Sequence, residues 1–247
     1  MNDYFKAEWL KTRKGAILAV GIIFLVLSSF IGLANFFLNY EVLIEEQMSR
    51  VLWGQLTFYN SQLLFPAMLA IFSGMIILPE FERKTFEMLR ANQVSVKKML
   101  LSKFLLALLL ITVIQVLLFV IYLVTLKLSQ IPFVAKDLLL LLFLRATVLS
   151  VIGSSSVVMI HSYIMAKTKN FSKSVGIAAI GSFCGFIFIM LGGVINQFFP
   201  YSQPMIGIRS RALVDMSISE FVIFIVVNAL YSFIFFKLTL RTLEKNG

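Results

Sequence analysis

Six long apolar runs alternate with short polar connections along the chain, at about 16–38, 57–79, 104–126, 138–165, 174–197 and 218–236. Each is close to the roughly 20 residues a helix needs to cross ~30 Å of hydrocarbon. Such runs predict six transmembrane helices. The connections are too short for a separate globular unit, so residues 1–247 read as a single membrane domain. The fold class expected is all-α, a polytopic membrane protein.

The polar stretches carry further pattern. Phe5 and Trp9 lie four apart among Lys6, Lys11, Arg13 and Lys14, as in a short amphipathic helix at a membrane surface. Ile44, Met48, Val51 and Leu52 alternate at helical spacing with Glu41, Glu45 and Glu46, which predicts a small helix on the outer surface. Trp53 and Tyr59 suit a membrane interface. Pro66 removes one backbone hydrogen bond from the second span and predicts a kink. Residues 198–217 are too apolar for a solvated loop; they are expected to re-enter the membrane or lie at its edge, with Pro200 and Pro204 ending span five.

Composition agrees. The chain is 60% hydrophobic and 14% charged, with mean hydropathy +0.94, which a soluble domain of this length could not bury. The net charge of +10 is a matter of topology, not of nucleic acid. With the amino terminus inside, 16 of the 22 basic residues fall on inner segments and 5 on outer ones. The positive-inside rule then puts both termini in the cytoplasm. The first apolar run is too long for the core of a signal peptide and has no small-residue cleavage site after it, so it reads as an uncleaved span. The single cysteine, Cys184, can form no intrachain disulfide.

Catalytic chemistry is thin. No glycine-rich loop ends in Lys-Ser or Lys-Thr, so the chain is not expected to bind ATP, and no cofactor is assigned to it. His161 is the only histidine, which leaves no histidine cluster for a metal. It is expected in the inner third of span four as a packed or interfacial residue, on a face away from most serines. The span interiors lack Asp and Glu, unlike ion-coupled carriers. Arg145 is the one basic residue within a span; it either snorkels outward or meets an anionic substrate or headgroup. Gln62, Pro66, Gln115 and Asn228 complete a possible substrate path, although buried polar residues more often join helices. Gly181 and Gly185 form a GxxxG spacing in span five, open to contact within the chain or between chains.

The densest charge lies between spans two and three, in a segment spanning 80–98. Glu80 and Lys84, and Arg83 and Glu87, are four apart; Glu87 and Arg90 are three apart, and Phe86 and Leu89 share a side. This is the pattern of a helix with its own ion pairs and an apolar knob, longer than a connector requires. It reads as a docking element for a soluble partner.

These residues resemble the permease subunit of type-2 ABC exporters. That family shows a Glu-x-Glu-x-Gly-Thr stretch, a Thr-Pro-Ile-Ser-Arg-like turn and a Leu-Leu-x-x-Lys entry to span three. The chain has Glu80-Phe81-Glu82-Arg83-Lys84-Thr85, then Ala91-Asn92-Gln93-Val94-Ser95-Val96, then Leu100-Leu101-Ser102-Lys103. It departs at Lys84, where the family often has glycine, and at Gln93, where it often has proline. With Trp53-Gly54-Gln55, those departures resemble the branch that protects Gram-positive bacteria from lantibiotics and bacitracin-like peptides. The resemblance implies a coupling helix seated on a separate ATPase that holds the ATP and magnesium, with two ATPases serving two permeases, identical or homologous. It points to Glu80, Glu82, Arg83, Lys84, Thr85, Phe86, Glu87, Leu89 and Arg90 as the ATPase-docking residues. It places Gly181 and Gly185 near the dimer seam. It also implies an amphipathic peptide substrate, a bacterial cytoplasmic membrane and no enzymatic activity in this chain. Export of the cell's own peptide, lipid or a drug is a second reading, and a membrane sensor or assembly protein without transport a third.

Overall fold

A computed structural model describes residues 2–42, 48–82, 94–132, 136–191, 194–208 and 216–246, and every regular element among them is helical. In chain order these are α1 (Asn2–Lys11), α2 (Lys14–Leu38), α3 (Met48–Tyr59), α4 (Phe65–Ile77), α5 (Pro79–Glu82), α6 (Val96–Leu128), α7 (Lys136–Leu144), α8 (Ser150–Thr168), α9 (Phe171–Leu191), α10 (Val194–Phe198), α11 (Gln203–Ile208) and α12 (Ile218–Asn246). Two π-helical turns, Asn60–Leu64 and Arg145–Leu149, join α3 to α4 and α7 to α8, and a 3₁₀ turn, Pro200–Ser202, leads into α11.

Five described helices are long and apolar enough to cross a membrane: Lys14–Leu38, Val96–Leu128, Leu139–Thr168, Phe171–Leu191 and Ile218–Lys245. The second predicted span differs. Its helix starts earlier, at Met48, and widens into a π turn just before Pro66. Proline has no amide hydrogen for the preceding turn and its ring crowds that turn, so a wider turn at this point relieves both problems. The apolar helix that follows is too short to cross alone.

Of the helix expected on the outer surface, residues 43–47, with Ile44, Glu45 and Glu46, lie outside the described residues, and the rest falls in α3, which is packed against the protein. Leu52, Trp53 and Leu56 are buried against α2 and α6. Trp53 meets Tyr122 edge-on at 5.2 Å and Phe119 at 6.2 Å, so it is a core residue rather than an interface anchor. Its amphipathic period was a true helix signal, but the apolar face found protein in place of lipid.

Of the segment after span five, residues 209–215 lie outside the described residues, and the part before them packs into the bundle. Residues 200–205 are buried and pack on α8 and α9. A side chain at Gly153 would come 2.5 Å from the Gln203 carbonyl oxygen, and one at Gly207 2.6 Å from that of Leu149. Those glycines let two backbones touch, which is how helices associate where water supplies no driving force. Gly181 and Gly185 belong to the same device. Gly181 lies under the Tyr201 ring and Gly185 under residues 199–202, so the GxxxG face is taken up within the chain.

Both ends of the chain reach one end of the bundle. Leu243 of α12 shares an apolar cluster with Ile77, Met99, Leu100 and Met165, and Tyr4 of α1 packs against it.

Candidate functional site

That end of the bundle brackets the charged segment. Residues 83–93, which include Arg83, Lys84, Thr85, Phe86, Glu87, Leu89 and Arg90, lie outside the described residues, and of Glu82 only the backbone in α5 is described. The residues before and after them are described, and they are tied down from several directions.

Before the segment, Pro79 opens α5 and turns Glu80 inward. Glu80 is 1% exposed. Its Oε1 accepts from Lys103 Nζ at 2.7 Å and from Lys11. Lys103, also buried, gives its remaining hydrogen bonds to Glu8 at 2.5 Å and to the Ile76 carbonyl at 3.2 Å. The cluster therefore joins α1, α4, α5 and α6 through one ammonium group. Burial would push the Glu80 carboxyl up; Lys103 first, then Lys11, outweigh that and hold it below the usual carboxylate range. Next to it, the Phe81 ring lies under Lys169 at 4.9 Å, in the turn between α8 and α9. Lys169 takes the left-handed backbone conformation there, with φ 51°.

After the segment, Ser95 caps α6 by accepting from the Lys98 amide at 3.4 Å. The Ser95 amide donates to the Tyr4 hydroxyl at 3.2 Å, and Lys98 lies over the Tyr4 ring. Helix α1 thus touches both flanks of the charged segment. Its outer face keeps the amphipathic character read from the sequence. Phe5 stacks on Trp9, Trp9 is 38% exposed, and Lys14 sits over the Trp9 ring at 4.5 Å.

The sequence anticipated Glu80 in a local pair with Lys84. The structure gives it Lys11 and Lys103, which sequence spacing could not show. An intramembrane-flanking lysine at the head of a long apolar run was the available clue, because such a residue needs a counter-charge.

The residues of the possible substrate path lie on several elements. Gln115 is fully buried in α6, with neither amide atom partnered. Asn228 in α12 donates to Gln203 Oε1 at 3.0 Å, so it anchors the re-entrant segment. Pro66 is buried in α4, and of Gln62 only the backbone, in the first π turn, is described. Arg145 is 5% exposed at the head of the second π turn.

His161 corrects a further expectation. It does have a serine partner: Nδ1 lies 2.8 Å from Ser174 Oγ, and Nε2 lies 3.1 Å from the Tyr201 hydroxyl. All three side chains are buried, so the trio fastens α8, α9 and the re-entrant segment together. Among the described residues no group of His, Cys, Asp and Glu could hold a metal ion.

A family model for ABC-2 family transporter proteins matches residues 4–185. That is well over half of the chain, and the chain belongs to this family. It is accordingly a multi-pass membrane component of an ABC transporter, a transport subunit and not itself a catalyst. Membership implies an ATPase partner. No curated protein and no solved structure matches the chain.

Proposed function

We propose that the chain is the permease half of an ATP-driven exporter, working with a separate ATPase that docks on the charged segment 80–98. The observation that carries this is the bracing of both flanks of residues 83–93 by α1, α6 and the α8–α9 turn. A connector needs no such bracing. A lever needs it, because force applied to a segment reaches the spans only through rigid attachments.

Six crossings fit this reading. Leu243 and Tyr4 pack on one apolar cluster, which supports an even number of crossings. The helical path from Met48 through the π turn to Ile77 supplies the sixth crossing. The excess of basic residues on the segments at that end makes it cytoplasmic. The cargo proposed is an amphipathic antimicrobial peptide, removed from the membrane of a bacterium for self-protection or resistance. Support for that finer statement is the likeness of Lys84, Gln93 and Trp53-Gly54-Gln55 to the peptide-immunity branch. The working unit proposed is two permeases and two ATPases.

The test is the pair Phe86→Ala and Leu89→Ala. A docked apolar side chain is worth about 1.5–3 kcal/mol, against about 0.2–0.5 kcal/mol for each surface ion pair. The double variant should insert normally but lose copurification with the ATPase and peptide-stimulated hydrolysis, while Lys84→Ala changes little. Retention of both assembly and stimulated hydrolysis in the double variant would remove the docking assignment.

A further inference from the structure

Helix α12 is longer than a crossing requires. It has 29 residues, where roughly 20 span the hydrocarbon. Its apolar run ends at Phe236, and the last turns, 237–246, change character. Phe236, Thr239, Leu240 and Leu243 recur at i, i+3, i+4 and i+7, the spacing of one helix face. Lys237, Arg241, Glu244 and Lys245 are exposed on the remaining surface. Helix ends fray unless something holds them. Here the stripe is held. Leu243 is 1% exposed, and Thr239 is fully buried with its hydroxyl donating to the Phe235 carbonyl at 2.6 Å. The apolar cluster around Leu243 takes Ile77, Leu78 and Phe81 from before the charged segment and Val96, Met99 and Leu100 from after it. Met165 and Ala166, near the end of α8, complete it. One cluster therefore joins both flanks of residues 83–93 to the last span, whereas the ionic ties at Glu80 and Lys103 run to α1, α4, α5 and α6.

We propose that the extension of α12 beyond Phe236 sets the pose of the ATPase-docking segment, with Leu243 as its positioning residue. Leu243 acts through the cluster and does not itself touch the ATPase; the role rests on the docking reading above. A segment already held in its docked pose binds more tightly, because less conformational freedom is lost on association. Loosening the pose lowers the binding-competent fraction and raises the apparent dissociation constant by the same factor. The hydrolysis rate at saturation is untouched, since every complex that forms is the same complex. An extension that merely anchored the end of the chain would need no stripe buried on both flanks of another segment.

The test compares Leu243→Ala and the smaller cut Leu243→Val with Leu243→Met, which conserves volume. Leu238→Ala is the control, a half-buried leucine on the same extension but outside the cluster. Hydrogen exchange of the full chain in detergent comes first. In Leu243→Ala the amides of residues 77–82 and 96–101 should exchange about tenfold faster, with residues 199–208 unchanged. Leu243→Val should show a lesser rise, and Leu243→Met and Leu238→Ala none. The ATPase that copurifies with the wild-type chain is then titrated with each variant. Half-maximal stimulation of hydrolysis should need about tenfold more Leu243→Ala protein, and less of an excess for Leu243→Val, with the rate at saturation unchanged. Faster exchange confined to the last turns of α12, or equal in Leu238→Ala, would overturn the support. Faster exchange at the flanks with an unshifted titration would overturn the positioning role, as would a lower rate at saturation without a shift in both Leu243→Ala and Leu243→Val. Absence of any copurifying ATPase would overturn the docking reading itself, and the exchange rates alone would then decide whether the extension supports the flanks.

Discussion

Two short elements that are not spans, α5 and the re-entrant stretch 199–208, are both held against the same bundle, by opposite means. At the α5 end the ties are ionic: Glu80 to Lys103 and Lys11, and Lys103 onward to Glu8. In the stretch 199–208 the ties are close backbone approach at Gly153 and Gly207, the Tyr201 ring over Gly181, and hydrogen bonds among His161, Ser174, Tyr201, Gln203 and Asn228. The difference follows the solvent. Near the span ends, charges are tolerable because a counter-charge can be gathered and water is close. Deeper in the bundle, small residues and uncharged donors do the same work, since an unpaired ion there would cost far more. The ionic tie also permits a kind of control that the packed tie does not, because its strength depends on proton concentration and salt.

The comparison breaks most severely at Lys103. Removing this ammonium leaves buried Glu8 without its Lys103 partner and Glu80 with Lys11 alone, and breaking a buried pair costs about 3–5 kcal/mol. Lys103→Met should therefore lower the melting temperature of the purified protein sharply. Adding Glu8→Leu and Glu80→Met should restore most of the loss, because an apolar replacement of a whole buried ion cluster is often close to neutral. If the triple variant is no better than Lys103→Met, charge compensation is not what the lysine contributes. Acid should act on the same tie. The Glu80 carboxyl is held below its ordinary 4.5, so its contribution is present above that pH and lost as the pH falls below it. Melting temperature against pH should drop across that window in the wild type and drop less in Glu80→Gln.

The packed tie breaks through volume instead. Gly153→Val places carbon atoms where the Gln203 carbonyl lies 2.5 Å from the first of them, and the obstacle is backbone that cannot rotate away. Overpacking of this kind costs about 1–3 kcal/mol. Gly176 is the contrast within the same bundle, with nothing within 4 Å of an added methyl group. Gly176→Ala should raise stability by about 0.5–1 kcal/mol through helix propensity alone. A Gly153→Val protein that melts like the wild type would show that the re-entrant stretch is not seated on α8.

Much of the architecture was legible in the sequence because lipid imposes long apolar runs, and five of those runs are helices of spanning length. The helix α1 was legible from the four-residue spacing of Phe5 and Trp9 among basic residues, and the stretch 199–208 as a segment too apolar for a solvated loop. Partners were not legible. The periodicity of α3 showed a helix, but Trp53 reads alike whether its ring meets headgroups or Tyr122. Glu80 showed its charge and a Lys84 four residues on, which lies outside the described residues, while the partner Lys11 is 69 residues away in sequence. Gly181 and Gly185 signalled close approach without saying to what. Local pattern specifies what an element needs; which distant residue meets that need is decided by the tertiary arrangement.

A pair of changes at one residue sharpens the comparison furthest. Tyr201 projects from the re-entrant stretch to His161, and its ring also covers Gly181. Tyr201→Phe keeps the ring and its packing and deletes only the hydroxyl. His161 Nε2 is then left buried without a partner, at a cost of about 1–3 kcal/mol. Tyr201→Ala removes both and should cost more, by about 3–5 kcal/mol in total, the range for losing a buried aromatic ring. The ratio of the two separates hydrogen bonding from packing in the seating of this stretch. Neither change should alter the salt dependence of stability, because no ion takes part, whereas a partial cut at the α5 end such as Lys11→Gln should make stability less sensitive to salt. A Tyr201→Phe protein whose loss grows or shrinks with ionic strength would contradict the division between an ionic tie at one end of the bundle and a packed tie within it.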